Sequence, residues 1–342
     1  MIYYIILLLI TIIYIYIYEK YNNKILLLLP LLFMALFSGL RYDAGNDYFT
    51  YLDIIRTGIG LERLELLNRI IIDLGYYFNN HYLYFFVTSF IITFSIGIYC
   101  IRDSQYPGYA ILLFLLLPLS YLTSFGYVRQ YLAISLFVLS VSFFMERRLT
   151  FSFLLFFLAS ISHSSALLFI WVFPVAFFIN KRIYSVSFYF FILILFYLFG
   201  EFVLIISKHF DIYSYYLSED NMLSNGKNMW FACFIIFIFL LMNRRTLTRK
   251  IDIAYFNLFF LFVAIYLALI NTGEYVIRVV YFLFPFSYVC ISQILGVNSR
   301  YAIFKRGFII AFAMTMFLIT LYLAYKNPTR DFLTNYQFNF II

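Results

Sequence analysis

Four short clusters of charged and polar residues interrupt an otherwise apolar sequence of 342 residues. They are Arg41–Tyr48 followed by Tyr51, then Tyr127–Gln130, Ser160–Ser165 around His163, and Asn271–Arg278. Arginine side chains suit an anionic ligand such as a diphosphate, because their planar forks of N–H donors match phosphate oxygens and stay charged at any working pH. Histidine and carboxylate side chains are suitable proton acceptors for a sugar hydroxyl. The residue types therefore indicate an anion-binding site beside a proton acceptor.

The first cluster combines one cation with two carboxylates. Arg41, Asp43 and Asp47 surround a turn at Gly45. Such a turn could hold a phosphate together with a sugar hydroxyl. It could equally begin a solvated loop that contains one ion pair.

The other three clusters lie beside or between apolar runs. Arg129 and Gln130 open a run that stays almost wholly apolar, and an arginine there either snorkels to lipid headgroups or binds a ligand. His163 is either a functional ionisable group or a neutral histidine bonded to the backbone of a broken helix. Glu274 and Arg278 are spaced to form an i,i+4 salt bridge, or to join the anion site.

Membrane-spanning helices are predicted to carry these clusters. The chain is 65% hydrophobic and 12% charged, with a mean hydropathy of +0.93, whereas a soluble domain of this length needs far more charge to cover its surface. We therefore predict a single all-α, polytopic integral membrane domain over residues 1–342, with about 12 transmembrane helices, some of them short or re-entrant. The predicted spans are Ile2–Tyr18, Ile25–Leu40, Tyr82–Ile101, Gly108–Phe125, Tyr127–Met145, Leu149–Ser162, Ser164–Ile179, Ile183–Ser207, Met229–Met242, Ile251–Ile270, Val276–Val297 and Gly307–Tyr325.

Residues Leu149–Ile179 are predicted to form two segments rather than one helix. A single helix of this length would be about 46 Å long at ~1.5 Å per residue, which exceeds a hydrocarbon core of about 30 Å. It would also place the polar run Ser160–Ser165 near the bilayer centre. The two segments are predicted to meet at His163.

The distribution of basic residues predicts the orientation. Fourteen of the 24 lysines and arginines fall in short loops on one side, which identifies that side as cytoplasmic. Both termini and two longer loops, at about 41–81 and 208–228, are then outside. Treating Leu149–Ile179 as one span and inverting the N-terminal half gives the same count, so loop length and the polar break decide between the arrangements. Four positions follow from this orientation, two predicted outside and two predicted in the cytoplasm: Asn46 and Asn225, and Thr246 and Ser299.

Several other kinds of chemistry are not indicated. The three cysteines stand singly within apolar runs, so neither a metal site nor a disulfide is predicted. A net charge of +8 bears on membrane sidedness rather than on nucleic-acid binding. No Gly-rich nucleotide loop appears on the cytoplasmic side, so an activated donor would be lipid-linked, and no cofactor is predicted.

The order and spacing of the four clusters resemble the EpsG-like group of Wzy-type polysaccharide polymerases over most of the chain. The matching residues are Arg41 with Gly45-Asn46-Asp47-Tyr48, Arg129 with Gln130 and Ala133, His163 with Ser165 and Ala166, and Arg278 with Tyr281. Asn46 stands where the family pattern has Thr. A family glutamate before Leu-Leu-Asn is not assigned, because Glu62 and Glu65 both precede Leu66-Leu67-Asn68 out of register. The C-terminal segment also lacks an expected Pro-Tyr.

The resemblance implies a GT-C-like glycosyltransferase of the bacterial plasma (inner) membrane, with its active site on the periplasmic or outer side. It would move a growing glycan from one undecaprenyl diphosphate carrier to the non-reducing end of another lipid-linked repeat unit, building O-antigen, capsular polysaccharide or exopolysaccharide. The implied partners are undecaprenyl-diphosphate-linked oligosaccharides, membrane lipids, a chain-length regulator and a flippase, with no nucleic acid. Two alternatives stay open. One is an O-antigen ligase, which shares the donor chemistry; the other is a non-catalytic flippase, which is expected to have charges through both leaflets.

On this hypothesis the site residues have two roles. His163 is the predicted catalytic base, because an imidazole with an unperturbed pKa of about 6.5 takes up a proton near neutral pH. Asp43 and Asp47 are the alternatives. The residues predicted to bind the substrates are Arg41, Arg129, Gln130, Glu274 and Arg278.

Overall fold

A computed structural model is 79% helical, with almost no strand among the residues that it describes. It describes residues 1–209, 226–272, 274–298, 301–327, 333 and 336–339. These residues form two compact units, one of Met1–Ile170 with Leu295–Ile342 and the other of Trp171–Ile294. The all-α class is confirmed. The single membrane domain stays a prediction.

Helices separated by short turns make up the first unit as far as residue 170. They are α1 (Ile2–Tyr21), α2 (Leu28–Gly39), α3 (Tyr48–Thr57), α4 (Leu66–Tyr77), α5 (Leu83–Asp103), α6 (Pro107–Leu116), α7 (Val128–Met145) and α8 (Leu149–Ser162). The 3₁₀ turns between or after them are Lys24–Leu27, Leu61–Arg63, Thr123–Phe125 and Ser164–Phe169. Strand β1 is Arg41–Tyr42.

The second unit contains further helices before the chain returns to the first. They are α9 (Val172–Ile179), α10 (Val186–His209), α11 (Gly226–Met242), α12 (Lys250–Ala268), α13 (Glu274–Ile277) and α14 (Phe286–Gly296), with 3₁₀ turns at Arg244–Thr246 and Arg278–Leu283. The first unit is completed by α15 (Ala302–Lys326) and strand β2 (Gln337–Phe338). Within the second unit, Asn257 of α12 donates from Nδ2 to the carbonyl oxygens of Ile179 (2.8 Å) and Arg182 (3.1 Å). This buried amide ties α12 to the end of α9.

Five helices in the described part of the chain are long and apolar enough to cross a membrane. They are α1, α5, α7, α12 and α15. Several other helices are apolar but shorter than 18 residues, among them α2 and α8. The chain is therefore a polytopic all-α membrane protein, and the number of about 12 spans stays a prediction. Two of the predicted spans are not continuous helices. Gly108–Phe125 leaves the helix after Leu116, because the residue before Pro118 is extended, and Val276–Val297 is divided between the 3₁₀ turn at Arg278–Leu283 and α14.

Helix α7 lies at the centre of the first unit. It packs against α5 and α8, and α5 in turn packs against α2 and α4. Most side chains of α7 are buried around its whole circumference, from Val128 to Ser142. A helix that is apolar on all sides is buried either in protein or in a lipid bilayer, and α7 is covered mainly by its neighbours in the protein.

The polar run around His163 ends α8, and this confirms the predicted break. His163 has an extended backbone (φ −157°, ψ 123°), and a separate 3₁₀ turn begins at Ser164. The imidazole accepts a hydrogen bond from the backbone N–H of Ser165 at 3.3 Å, which caps that turn. The residues that make the break therefore also satisfy part of its backbone.

The C-terminal segment returns to the first charged cluster. Strand β2 pairs antiparallel with β1, with Arg41 opposite Phe338. Tyr336 stacks on Phe37 with ring centroids 4.3 Å apart, and its hydroxyl donates to the carbonyl oxygen of Phe37 at 2.7 Å. The C-terminal segment therefore supports the turn that follows α2, although it lacks the Pro-Tyr of the family pattern.

Candidate active site

Arg129 is held by two side chains of the polar segment, residues 40–82, that connects α2 to α5. Its Nε donates to the hydroxyl of Tyr51 at 2.7 Å, and one terminal nitrogen donates to Oε2 of Glu65 at 2.8 Å. The side chains of Arg129 and Glu65 are 30% and 20% exposed. The guanidinium is thus fixed along two of its donors while part of it faces solvent.

Arg129 lies in the first turn of α7, where both its own charge and the N-terminus of the helix favour binding of an anion. The N-terminus of a helix carries a partial positive charge and unpaired N–H groups. The N-cap residue Tyr127 makes no side-chain cap hydrogen bond to α7. A cation is unfavourable at the N-terminus of a helix, and the carboxylate of Glu65 offsets this cost for Arg129. A bound phosphate would meet both the guanidinium and the helix end.

An open cleft of about 370 Å³ adjoins this arginine. We call it the Arg129 cleft. It is lined by Ile54, Ile59, Gly60, Glu62, Arg63, Leu64 and Arg129. Its volume lies in the range of about 300–1,000 Å³ that is usual for small-molecule sites. The cleft could therefore accept a phosphate group with an attached sugar.

Arg41 is buried inside the protein and does not line the Arg129 cleft. Only 2% of its surface is exposed. Its Nε donates to the carbonyl oxygen of Ala44 at 3.0 Å, and Nη1 donates to the Ser38 carbonyl and the Ser89 hydroxyl. Its guanidinium also lies 5.0–5.1 Å from the ring centroids of Phe85 and Phe125. In this position Arg41 supports the turn from inside and is not on the wall of the Arg129 cleft.

Gly45 brings the first cluster against the segment that leads into α7. Its φ of +109° is a conformation that favours glycine, and a Cβ there would lie 2.0 Å from the carbonyl oxygen of Phe125. The sequence clusters around Arg41 and Arg129 are therefore neighbours.

Asp47 and Asp43 lie on this turn, and both are half-buried. The pKa of Tyr51 is raised to about 12, chiefly by burial. Arg129 opposes this rise, and the charges of Asp47 and Glu65 add to it. Asp47 thus adds negative potential around the hydroxyl that holds Arg129. Asp43 has a left-handed backbone at φ +53°.

Asn68 connects this group to the break at His163. Its Nδ2 donates to the carbonyl oxygen of Ser162 at 2.8 Å, and its Oδ1 accepts from the Tyr84 hydroxyl at 3.0 Å. The last carbonyl groups of a helix have no partner within it, so Asn68 satisfies one of them at the end of α8. Glu65 and Asn68, three residues apart at the start of α4, bring the clusters around Arg129 and His163 together.

The remaining predicted substrate-binding residues are not among those that line the Arg129 cleft. Gln130 is 7% exposed and does not line the Arg129 cleft. Glu274 and Arg278 belong to the second unit, where Glu274 begins α13 and Arg278 begins the following 3₁₀ turn. Their part in substrate binding stays a prediction.

Glu65 and Asn68 are the residues that sequence reasoning missed. The signal was present, since the glutamate before Leu66-Leu67-Asn68 is part of the family pattern, but its register did not match. The hydrogen bonds identify Glu65 as the partner of Arg129 and Asn68 as the partner of Ser162.

The fold and this site define a polytopic all-α membrane protein with an open cleft at Arg129 and a helix broken at His163. Residues 24–338 match the family model of the EpsG family. The chain belongs to the EpsG family, whose members are membrane proteins of polysaccharide biosynthesis associated with glycosyltransferase-like polymerases. No curated protein and no solved structure matched the chain.

Proposed function

We propose that the protein is a polymerase that joins undecaprenyl-diphosphate-linked repeat units into a surface polysaccharide. The observation that carries this proposal is Arg129, held by Tyr51 and Glu65 at the wall of an open cleft. Family membership supports the substrate class. The active site would lie on the outer side of the bacterial plasma membrane, in a GT-C-like enzyme that works with a flippase and a chain-length regulator.

The reaction exchanges one bond at the anomeric carbon of the donor. A hydroxyl oxygen at the non-reducing end of the acceptor attacks this carbon, and the bond from the carbon to the diphosphate breaks. Undecaprenyl diphosphate leaves as an anion, and the hydroxyl proton passes to a base. Stabilising the departing charge is the larger task, so a preorganised guanidinium at a helix N-terminus supplies what the reaction needs most.

Substrate binding at Arg129 would also change the state of Glu65. A diphosphate competes with the Glu65 carboxylate for the same guanidinium donors. The displaced carboxylate becomes free to accept the proton of the acceptor hydroxyl. Glu65 thereby joins His163, Asp43 and Asp47 as a candidate base.

A reconstituted reaction tests the proposal. Purified protein in proteoliposomes receives only undecaprenyl-diphosphate-linked repeat units, and products are separated by length. We expect a ladder of polymer. Arg129→Lys should lower kcat/KM about 10- to 100-fold, because lysine keeps the charge but loses hydrogen bonds worth about 1.5–3 kcal/mol.

Arg148→Lys is the matched control. Arg148 is 58% exposed and pairs with Glu146 at 3.4 Å. It follows the C-terminal end of α7, whereas Arg129 lies in the first turn of that helix. Its replacement should leave the ladder unchanged. Glycan transfer only when a separate lipid A core acceptor is added would instead indicate a ligase. Movement of the lipid across the bilayer without any new bond would indicate a flippase, and either result rejects polymerisation.

A further inference from the structure

The surface of helix α4 has three sectors, and the first packs against other helices of the first unit. Asn68, Ile71, Ile72 and Gly75 are buried. Helix α4 packs against α5 and α8. This sector is the one that carries the hydrogen bond to the end of α8.

The second sector is apolar and exposed. Leu66, Ile70 and Leu74 are 43–49% exposed. At about 100° per residue they span about 80° of the helix circumference, so they form one continuous strip. Tyr77 and Phe78 extend it at the C-terminal end and are even more exposed. An apolar strip of this kind usually marks an interaction surface.

The third sector carries the charged side chains of α4, together with the ring of Tyr76, whose hydroxyl donates to the Ile55 carbonyl oxygen. Asp73 is exposed and Arg69 is half-buried, and the same rotation puts both on the opposite side of Leu66 from Leu74. Going around α4, the order is therefore protein, apolar strip, polar sector. The exposed surface of α4 therefore has an apolar part and a polar part. A helix that lies in a membrane interface against its own protein needs both, because one part faces hydrocarbon and the other faces water.

The position of α4 in the chain points to lipid as the partner. Five residues, 78–82, connect α4 to α5, which is a candidate membrane span. Exposed aromatic residues, including Tyr77 and Phe78, mark this end of α4. Aromatic side chains are enriched at the headgroup level, where a span such as α5 enters the bilayer.

We propose that the apolar strip of α4 docks into the headgroup–acyl boundary of the lipid bilayer, on the side of the membrane where α5 begins. The polar segment between α2 and α5 is then not a wholly aqueous loop. Glu65 immediately precedes α4, so this contact fixes the depth of the Glu65–Arg129 pair relative to the membrane surface. The inference does not depend on the proposed chemistry, because its test reads the surroundings of α4 and not enzyme activity.

Site-directed spin labelling of the full chain in lipid nanodiscs provides the test. The three native cysteines, Cys100, Cys233 and Cys290, are fully buried, so the label should react with introduced cysteines. Nitroxides are placed by Ile70→Cys, Leu74→Cys and Asp73→Cys in nanodiscs of phosphatidylethanolamine and phosphatidylglycerol. Collisions with oxygen report hydrocarbon, and collisions with a water-soluble nickel chelate report water.

We expect the labels at positions 70 and 74 to collide mainly with oxygen, and the label at position 73 mainly with the chelate. Ile13→Cys on the exposed face of α1 is the lipid reference, and Glu62→Cys on an exposed turn is the water reference. Chelate collisions at 70 and 74 equal to those at 62 would overturn the proposal. Exclusion of both reagents with dipolar coupling between labels would also overturn it, because the strip would then be covered by a second copy.

Discussion

At the residue scale, Glu65 and His163 compete for the role of proton acceptor. The Nδ1 atom of His163 accepts from the backbone N–H of Ser165 and lies 2.8 Å from the Ser165 hydroxyl oxygen. A neutral imidazole that accepts at Nδ1 carries its proton on Nε2. The lone pair on Nδ1 that could accept a proton is therefore occupied by the capping hydrogen bond. The Glu65 carboxylate instead lies at Arg129, which lines the Arg129 cleft.

Paired glutamine substitutions separate the two roles. His163→Gln keeps an acceptor for the Ser165 N–H, so we expect kcat to stay within about tenfold of wild type if the histidine only caps the turn. Glu65→Gln should lower kcat by about 100-fold or more, the usual effect of removing a general base. The measurement is the initial rate of polymer formation over a range of donor concentrations, which gives both kcat and KM.

The opposite pattern would assign the base to His163, as the sequence predicts. Loss of activity only in Asp43→Asn or Asp47→Asn would assign it to an aspartate. A rise in KM with unchanged kcat in Glu65→Gln would mean that Glu65 only positions Arg129.

At the scale of elements, the C-terminal strand holds the turn that carries Arg41. Tyr336 is 4% exposed, stacks on Phe37 and bonds to its carbonyl oxygen. The amide N–H of Asn339 donates to the Leu40 carbonyl at 2.7 Å. These contacts join the C-terminal segment to the end of α2 and to the turn that follows it.

Tyr336→Ala should therefore destabilise the first unit. Removal of a buried aromatic ring from such a site costs about 3–5 kcal/mol. We expect a lower midpoint of thermal unfolding in detergent, together with reduced polymer formation. Tyr322→Ala is the control, since Tyr322 is 58% exposed on α15. Equal unfolding midpoints for the two variants would show that the strand does not support the turn.

At the scale of the whole molecule, the orientation in the membrane decides whether the clusters share one side. Asn46→Cys should react with an impermeant thiol reagent in intact cells, and Thr246→Cys should react only after permeabilisation, because the short basic loops mark the cytoplasm. Asn225 and Ser299, the other two predicted positions, lie outside the described residues. The same labelling applies to them.

Labelling at position 246 in intact cells would reject this orientation. Labelling at position 46 only after permeabilisation would do the same. Expression and membrane insertion of each variant are checked with a C-terminal tag, so that a negative result reflects sidedness.

Long apolar runs and short polar interruptions were enough to predict the class of the protein and the helix break. The apolar run of α7 predicts a membrane span, and the polar run at His163 does not fit the middle of a continuous span, so both predictions follow from local sequence. The resemblance of the charged clusters also predicted the family that the chain matches over residues 24–338. The roles of individual charged side chains were harder to predict.

Arg41 illustrates the reason. An arginine beside two aspartates predicts a solvated or ligand-binding group, yet Arg41 is buried between two phenylalanine rings and bonds to backbone carbonyl groups. Phe85 and Phe125 are far from it in sequence, and no local pattern indicates that they cover it. Whether a charge binds a ligand or supports a turn depends on which distant segments pack around it.

The sequence by itself determined that this is an all-α membrane protein, that a helix breaks at His163, and which short clusters carry charge, because these properties depend on residues that are close along the chain. The tertiary structure alone decided that Glu65 pairs with Arg129, 64 residues away, and that Asn68 satisfies the end of α8, 94 residues away. Hydrogen bonds between distant segments depend on how helices pack. Helix packing is set by side-chain shapes over the whole unit, and no short stretch of sequence contains that information.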